Sequence, residues 1–86
     1  MTLDNVQKLS DEELQVALEA IFMVAEAPIP LISLAGALER PIQDVRAAID
    51  ALRADFDGQA SGRQRGFELR EVGGGWRIYV REDLDW

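Results

Sequence analysis

The chain has no cysteine and no histidine, and Lys8 is its only lysine. Without cysteine there is no disulfide, no thiolate metal site and no thiol nucleophile. Without histidine, imidazole general-base chemistry and zinc sites of cysteine and histidine are excluded as well. Lys8 follows no P-loop glycine pattern, and the glycine triplet at 73–75 opens no helix, as a dinucleotide-binding motif requires. We therefore predict no enzymatic activity, no cofactor and no bound metal. The terminal carboxylates Glu82, Asp83 and Asp85 are better explained as a solvated terminus than as a cation site.

Long apolar runs are also missing. The longest, residues 20–25, is far shorter than the roughly 20 residues of a membrane span, and the first residues lack the basic patch and apolar run of a signal peptide. The 86 residues are 48% hydrophobic and 29% charged, which is typical of one globular domain. We expect a cytoplasmic protein that makes no contact with a membrane.

Positive charge is scarce and unevenly spread. The chain carries a net charge of −7. Residues 1–57 hold four basic and eleven acidic side chains, a net of −7, whereas residues 58–81 hold five arginines and two glutamates, a net of +3. The acidic N-terminal part repels phosphate, while the C-terminal part can tolerate it.

The first helix is predicted from Ser10, which forms a capping box with Glu13, to about Ala25. One apolar stripe has the spacing of a core-facing helix side: Leu14, Ala17, Leu18, Ile21, Phe22 and Ala25. A second stripe, Val16, Ala20 and Met23, lies on another side of the helix. A helix that is apolar nearly all round is buried on two sides. We favour a central helix packed by both other helices; the alternative is that the second stripe is a subunit interface.

Two further helices follow a proline-rich break. Residues 28–30 predict a short extended segment at a sheet edge. Residues 31–38 predict a short helix with an inner face of Leu31, Leu34, Ala35 and Leu38. A third helix runs from Pro41 to about Phe56, with the stripe Val45, Ala48, Ile49, Leu52 and Phe56. Its outer face is charge-balanced, since Arg46–Asp50 and Arg53–Asp57 are i, i+4 pairs, and it is a poor reader of the major groove.

The C-terminal third predicts a β-hairpin after a flexible connector at 58–66. Apolar and polar residues alternate on both sides of the glycine triplet, whose glycines supply the positive φ of the turn. Glu71 and Val72 shift the alternation, which predicts a bulge near Val72. The predicted outward face is Glu68, Arg70, Arg77, Tyr79 and Arg81. The fold class is therefore α+β: a winged helix, with a three-helix bundle and a C-terminal β-hairpin wing.

A winged helix serves either in protein binding or in DNA binding, and the charge favours protein binding. For a protein interface we predict the apolar residues that the core stripes do not use: Val16, Met23, Leu31 and Ile32. The alternative for each is an intramolecular core contact. For a transcription regulator that binds DNA through its wing, the predicted contacts are Arg63, Arg65, Arg77, Tyr79 and Arg81.

Four segments then resemble a known family: LEAIFMVAEAPI at 18–29, LAGAL at 34–38, VRAAIDALR at 45–53 and GFELREVGGGWRI at 66–78. Together, from about Asp11 to Arg81, they resemble the N-terminal half of bacterial segregation and condensation protein B. No single motif is diagnostic, but the ordered set is fairly specific. Pro30 departs from the family, in which serine or threonine usually caps the second helix, and Trp76 replaces a commoner tyrosine.

The resemblance implies a non-enzymatic scaffold subunit of the chromosome condensation and segregation complex. Two copies pair as a homodimer and clasp the kleisin subunit, which bridges a structural-maintenance-of-chromosomes ATPase. A cytoplasmic, nucleoid-associated location follows. Family members also carry a second winged helix, and this chain stops at Trp86 before it. We expect a single domain over residues 1–86, with an ordered core at about 10–81 and the second domain absent.

Overall fold

The computed structural model describes residues 10–59 and 62–81. Within them the chain forms helices α1 (Asp11–Val24), α2 (Leu31–Leu38) and α3 (Ile42–Phe56) and strands β1 (Ile29–Pro30), β2 (Phe67–Val72) and β3 (Gly75–Val80). The strands form one antiparallel sheet in the order β1-β3-β2. The acidic cluster of Glu82, Asp83 and Asp85 lies outside the described residues. None of the described helices combines the length and the apolar character needed to cross a membrane.

Helix α1 begins at the predicted capping box. The Glu13 amide donates to the Ser10 hydroxyl at 3.1 Å, and the Ser10 amide donates to the Glu13 carboxylate at 2.9 Å. Each bond satisfies a donor that an uncapped helix start leaves unpaired. Hydrogen bonding of the Glu13 carboxylate to the Ser10 amide, the larger cause, and to the Ser10 side chain lowers the pKa of the Glu13 carboxyl. The helix ends at Val24, one residue before the predicted end, and extended backbone at Ala25 leads into β1.

One core joins the helices to the sheet. Its side chains come from α1, α2, α3 and the hairpin: Leu14, Leu18, Phe22, Leu34, Ala35, Val45, Ala48, Ile49, Leu52, Phe56, Leu69 and Trp76. All five residues of the predicted α3 stripe are among them. The Phe56 and Phe67 rings pack edge to face, with 4.9 Å between the ring centres. The predicted inner face of α2 is confirmed at Leu34 and Ala35, while Leu31 and Leu38 are half-buried against the core. The 3.6-residue period therefore identified the buried faces of α2 and α3 correctly.

The prediction that α1 is buried on two sides within the domain is wrong. Val16, Ala20 and Met23 are exposed, Val16 at 67% and Met23 at 49%. Only the side with Leu14, Leu18 and Phe22 faces the core. An 86-residue domain has too few elements to cover both sides of its first helix, since α2 and α3 pack on the same core.

The hairpin has an unbroken register, so the predicted bulge near Val72 is wrong. Strand β2 pairs with β3 continuously from Phe67↔Val80 to Val72↔Gly75. The turn uses Gly73 and Gly74 alone, with φ of 59° and 82°, as a two-residue hairpin turn requires. Gly75 already belongs to β3 and pairs with both neighbouring strands.

The predicted ion pairs on the outer face of α3 do not form. Asp57 instead accepts from Arg81 at 2.8 Å, and the Arg53 guanidinium lies 6.0 Å from the centre of the Trp76 ring. Within the described ranges there is also no Arg46–Asp50 pair, so the outer face of α3 has exposed charges of both signs.

Candidate protein-interaction surface

An apolar stripe of Val16, Ala20 and Met23, called the α1 stripe below, is the clearest unpartnered feature of the described surface. Its members are spaced at i, i+4 and i+7 and therefore lie on one side of α1. That side is opposite the core-facing residues Leu14, Leu18 and Phe22. Exposed apolar residues in a row, and not scattered singly, are typical of a protein-binding surface. Two of the four predicted interface residues, Val16 and Met23, belong to this stripe.

Helix α2 presents a second apolar surface. Ile32 is 70% exposed, and the exposed Gly36 and Ala37 follow it at i+4 and i+5. Leu31, the fourth predicted interface residue, is half-buried and packs partly against the core. The structure therefore places Val16, Met23 and Ile32 at the surface, whereas Leu31 is partly buried against the core.

Two of the wing and connector arginines are committed to internal ion pairs. The Arg65 guanidinium bonds the Asp55 carboxylate and its main-chain carbonyl. The Arg81 side chain, only 11% exposed, donates to the carbonyls of Phe56 and Arg65 and to the Asp57 carboxylate. Charges neutralised in this way are poorly available for phosphate. Of the five predicted DNA contacts, Arg63, Arg77 and Tyr79 remain outside these two pairs.

The outer face of the wing brings two arginines onto one aromatic ring. Arg70 and Arg77 are directly opposite each other in the β2–β3 register. Their guanidinium carbons lie 5.2 Å and 5.5 Å from the centre of the Tyr79 ring. The Arg77 Nε is buried and has no hydrogen-bond partner among the described residues. A buried donor without a partner costs about 1–3 kcal/mol. Sequence reasoning placed Arg70 on the outward face but not in a site, because its position opposite Arg77 depends on the register.

A small cleft separates the first turns of α1 and α3. It has a volume of about 180 Å³ and is lined by Asp11, Leu14, Gln15, Asp44, Ala47 and Ala48. The Arg40 side chain bonds both Asp44, at 3.1 Å, and Asp11, at 3.2 Å. These bonds, with Asp44 as the larger cause, raise the pKa of Arg40. The cleft is smaller than the roughly 300–1,000 Å³ typical of small-molecule sites. In the part of the chain that the structure describes, no three metal-ligating side chains converge.

Three helices followed by a β-hairpin, with the short β1 strand completing the sheet, define a winged-helix domain. Its exposed features are those of a protein that binds other macromolecules: an apolar stripe on α1 and a cationic cluster on the wing. The sequence model of the segregation and condensation complex subunit ScpB matches residues 16–85, and the chain belongs to this family.

Solved structures agree with this assignment. ScpB from Mycobacterium tuberculosis is 31% identical, with a TM-score of 0.79 over 90% of this chain and 46% of that one. A conserved hypothetical protein from Chlorobium tepidum is 25% identical, with a TM-score of 0.70 over 86% of this chain and 44% of that one. The chain thus spans about half the length of these two proteins. No curated protein gives a significant sequence match.

A third structure covers a similar length. It is the dimer of an ScpB N-terminal domain complexed with an ScpA peptide, 23% identical, with a TM-score of 0.73 over 84% of this chain and 85% of that one. At this identity the likeness concerns the fold alone. It extends to most of both chains, so the winged helix described above has the same fold as most of that N-terminal domain.

Proposed function

We propose that this chain is a non-enzymatic scaffold module of a chromosome condensation and segregation complex. It acts by pairing with a second copy of itself and by binding the kleisin subunit, and through that subunit it joins a structural-maintenance-of-chromosomes ATPase. It needs no cofactor or metal and works in the cytoplasm on the nucleoid. The observation that carries the proposal is the exposed α1 stripe, which lies opposite the core of a domain whose family subunits work inside a complex.

The homodimer interface in this proposal contains Val16, Met23, Leu31 and Ile32. Burying apolar surface contributes about 25 cal/mol per Å², from which the cost of association is subtracted. Val16 and Ile32 have most to gain, since they are 67% and 70% exposed. Leu31 contributes the outer part of a side chain whose inner part is packed on the core. The related N-terminal ScpB domain that forms a dimer with a bound ScpA peptide supports both partners.

The first test replaces Met23 with glutamate. A charge on the α1 stripe must be desolvated on pairing, so Met23→Glu is expected to give a folded monomer while the unchanged protein is a dimer. Molar mass is measured by size-exclusion chromatography with light scattering, and folding by far-UV circular dichroism. Val80→Glu is the matched control, because Val80 is a 73% exposed apolar residue on the wing, and it is expected to remain dimeric.

The result that would contradict this interface is a Met23→Glu protein that is folded and still dimeric. If Met23→Glu does not fold, Val16→Glu repeats the test at a more exposed position. Kleisin binding is tested separately, by titrating the purified kleisin subunit of the same organism into the unchanged protein in a calorimeter. Absence of heat exchange at two well-separated temperatures would exclude that partner, because binding that buries apolar surface changes the heat capacity.

A further inference from the structure

The outer face of the wing carries a cluster that self-association does not use. Arg70 on β2 and Arg77 on β3, called the arginine pair below, are cross-strand neighbours, and both guanidinium groups lie against the Tyr79 ring. No carboxylate forms an ion pair with either arginine in residues 10–59 and 62–81. In contrast, Arg40, Arg65 and Arg81 are each paired with an aspartate.

This arrangement is unfavourable in the free protein. Like charges that are directly opposite in an antiparallel sheet destabilise it. Attraction between the guanidinium groups and the face of Tyr79 offsets part of that cost. The buried Nε of Arg77 adds a second cost, because it has lost water without gaining a protein partner in the described part of the chain. An anion placed between the two guanidinium groups would cancel their repulsion.

We propose that the arginine pair binds a carboxylate on an acidic peptide segment of a protein partner. A guanidinium group donates two parallel hydrogen bonds to a carboxylate, and two such groups can surround a single one. Tyr79 limits the freedom of both arginines by stacking, so less side-chain entropy is lost on binding. The recognised group is a glutamate or aspartate side chain, or a chain-terminal carboxylate, in an extended segment.

The charge around the arginine pair favours a carboxylate over the phosphates of DNA. Nucleic-acid binding depends on many phosphate contacts along a surface, about 6–10 in a typical site. Here Arg65 and Arg81, which would extend the basic surface, are neutralised by Asp55 and Asp57. Glu68 and Glu71 lie on the same hairpin, and the chain as a whole carries −7. On the outer face of the wing, two cations without an ion pair among the described residues match one carboxylate.

The test measures fluorescence anisotropy with three labelled probes at low and near-physiological salt. The probes are a short peptide of alternating glutamate and glycine, the same peptide with glutamine for glutamate, and a short DNA duplex. We expect the acidic peptide to bind and the glutamine peptide not to bind. Arg70→Gln and Arg77→Gln are each expected to weaken binding by about tenfold, because each removes charge-assisted hydrogen bonds.

Arg46→Gln is the matched control, since it removes the same charge from an exposed position on α3. It is expected to leave binding within about twofold, as an exposed charge outside the site does. If Arg77→Gln does not fold, Arg70→Gln and Arg77→Lys carry the test. Lysine keeps the charge but loses the planar fork, so Arg77→Lys is expected to bind more weakly than the unchanged protein.

Three results would overturn the proposal. The first is no binding of the acidic peptide at low salt. The second is an equal loss in Arg46→Gln and Arg77→Gln, which means unspecific attraction. The third is tighter binding of the DNA duplex than of the peptide, with loss in Arg77→Gln, which means that the ligand is phosphate. The mass of Arg77→Gln, measured by light scattering, separates this site from the proposed dimer interface, because the variant is expected to remain dimeric.

Discussion

At Gly75 the close approach of a neighbouring chain segment decides which residue is allowed. A Cβ built at this position lies 2.8 Å from the Pro28 Cβ and 2.9 Å from the Pro28 carbonyl carbon. The constraint comes from backbone and a rigid ring, so the neighbours have little room to move. The glycine triplet therefore has two roles. Gly73 and Gly74 form the turn through their positive φ, and the lack of a Cβ at Gly75 leaves room for Pro28, which precedes β1.

Gly75→Ala is accordingly expected to lower the free energy of unfolding by about 1–3 kcal/mol, the usual cost of forcing extra atoms into a packed site. Gly36→Ala is the matched control, because it lies in α2 with nothing near a new Cβ. There alanine is expected to raise the free energy of unfolding by about 0.5–1 kcal/mol, through helix propensity. Urea unfolding measures both. Equal effects of the two substitutions would refute the close-approach argument.

Glu13 gives the start of α1 a defined pH dependence. Hydrogen bonds from Ser10 lower the folded-state pKa of Glu13 below its ordinary value of 4.5. The unfolded chain therefore binds this proton more readily than the folded one. The stabilisation by Glu13 is complete above the ordinary pKa and is lost as the pH falls through the lowered folded pKa.

We expect the melting temperature of Glu13→Gln to be lower than that of the unchanged protein at pH 7, with a difference that shrinks as the pH falls below 4.5. Glutamine keeps the shape and an acceptor oxygen but has no charge for the helix dipole. The measurement is thermal unfolding, followed by circular dichroism from pH 7 to acid. Glu12→Gln is the control, since Glu12 is exposed in the same turn and makes no capping bond in the described region. Parallel curves for Glu13→Gln and the unchanged protein would contradict the prediction.

Between elements, one side chain joins the end of the sheet to the end of α3. Arg81 follows β3 and bonds the carbonyls of Phe56 and Arg65 together with the Asp57 carboxylate. The Arg65 amide also donates to the Phe56 carbonyl, at 2.8 Å. The connector predicted to be flexible is therefore attached at this end. Sequence patterns contain no sign of these contacts, because Arg81 is distant from all three partners along the chain.

Replacing Arg81 by methionine is expected to destabilise the domain by about 1–3 kcal/mol. Methionine keeps the packing of the stem but leaves the Arg65 carbonyl and the half-buried Asp57 without their donor. Denaturant unfolding of Arg46→Met, an exposed arginine on α3, gives the reference for loss of one positive charge. A stability of Arg81→Met equal to that of Arg46→Met would mean that these bonds contribute nothing to stability.

The error in the hairpin prediction also belongs to the level of the elements. Period-two alternation locates a strand but does not count the residues of a turn when all of them are glycine. The sequence pattern predicts that all three glycines serve the turn, and the shifted alternation at Glu71 and Val72 predicts a bulge near Val72. The observed two-residue turn keeps the strands in register without one. This register is also what brings Arg70 opposite Arg77.

For the molecule as a whole, size and exposure point to stabilisation by a partner. A domain of this length buries only about 60–65% of the surface of its unfolded chain. The exposed apolar residues that remain include Val16, Met23 and Ile32. If pairing covers them, the folded state gains free energy that depends on protein concentration.

We therefore expect the melting temperature to rise as the protein concentration is increased over a roughly hundredfold range, as mass action requires for a dimer. Met23→Glu is expected to remove this dependence, and Val80→Glu is expected to keep it. Differential scanning fluorimetry at a series of concentrations provides the measurement. A melting temperature that is independent of concentration in the unchanged protein, together with a monomeric mass, would exclude a stable homodimer.

The sequence alone determined the helices, the buried faces of α2 and α3, the strand pair and the winged-helix order. These features depend on local periodicity, on the Ser10–Glu13 cap and on the glycine and proline residues that end elements or form turns, all of which act over a few residues. The resemblance across the four matching segments likewise identified the family.

The tertiary structure alone decided which apolar stripe of α1 has no partner, which arginines are neutralised and which two meet on Tyr79. Each of these depends on distances between residues far apart in the chain: Arg81 to Asp57, Arg65 to Asp55 and Pro28 to Gly75. An amphipathic pattern identifies apolar faces but not the number of elements available to cover them. A count of charged residues gives the net charge but not which acidic and basic side chains form ion pairs, because ion pairing depends on how the elements pack.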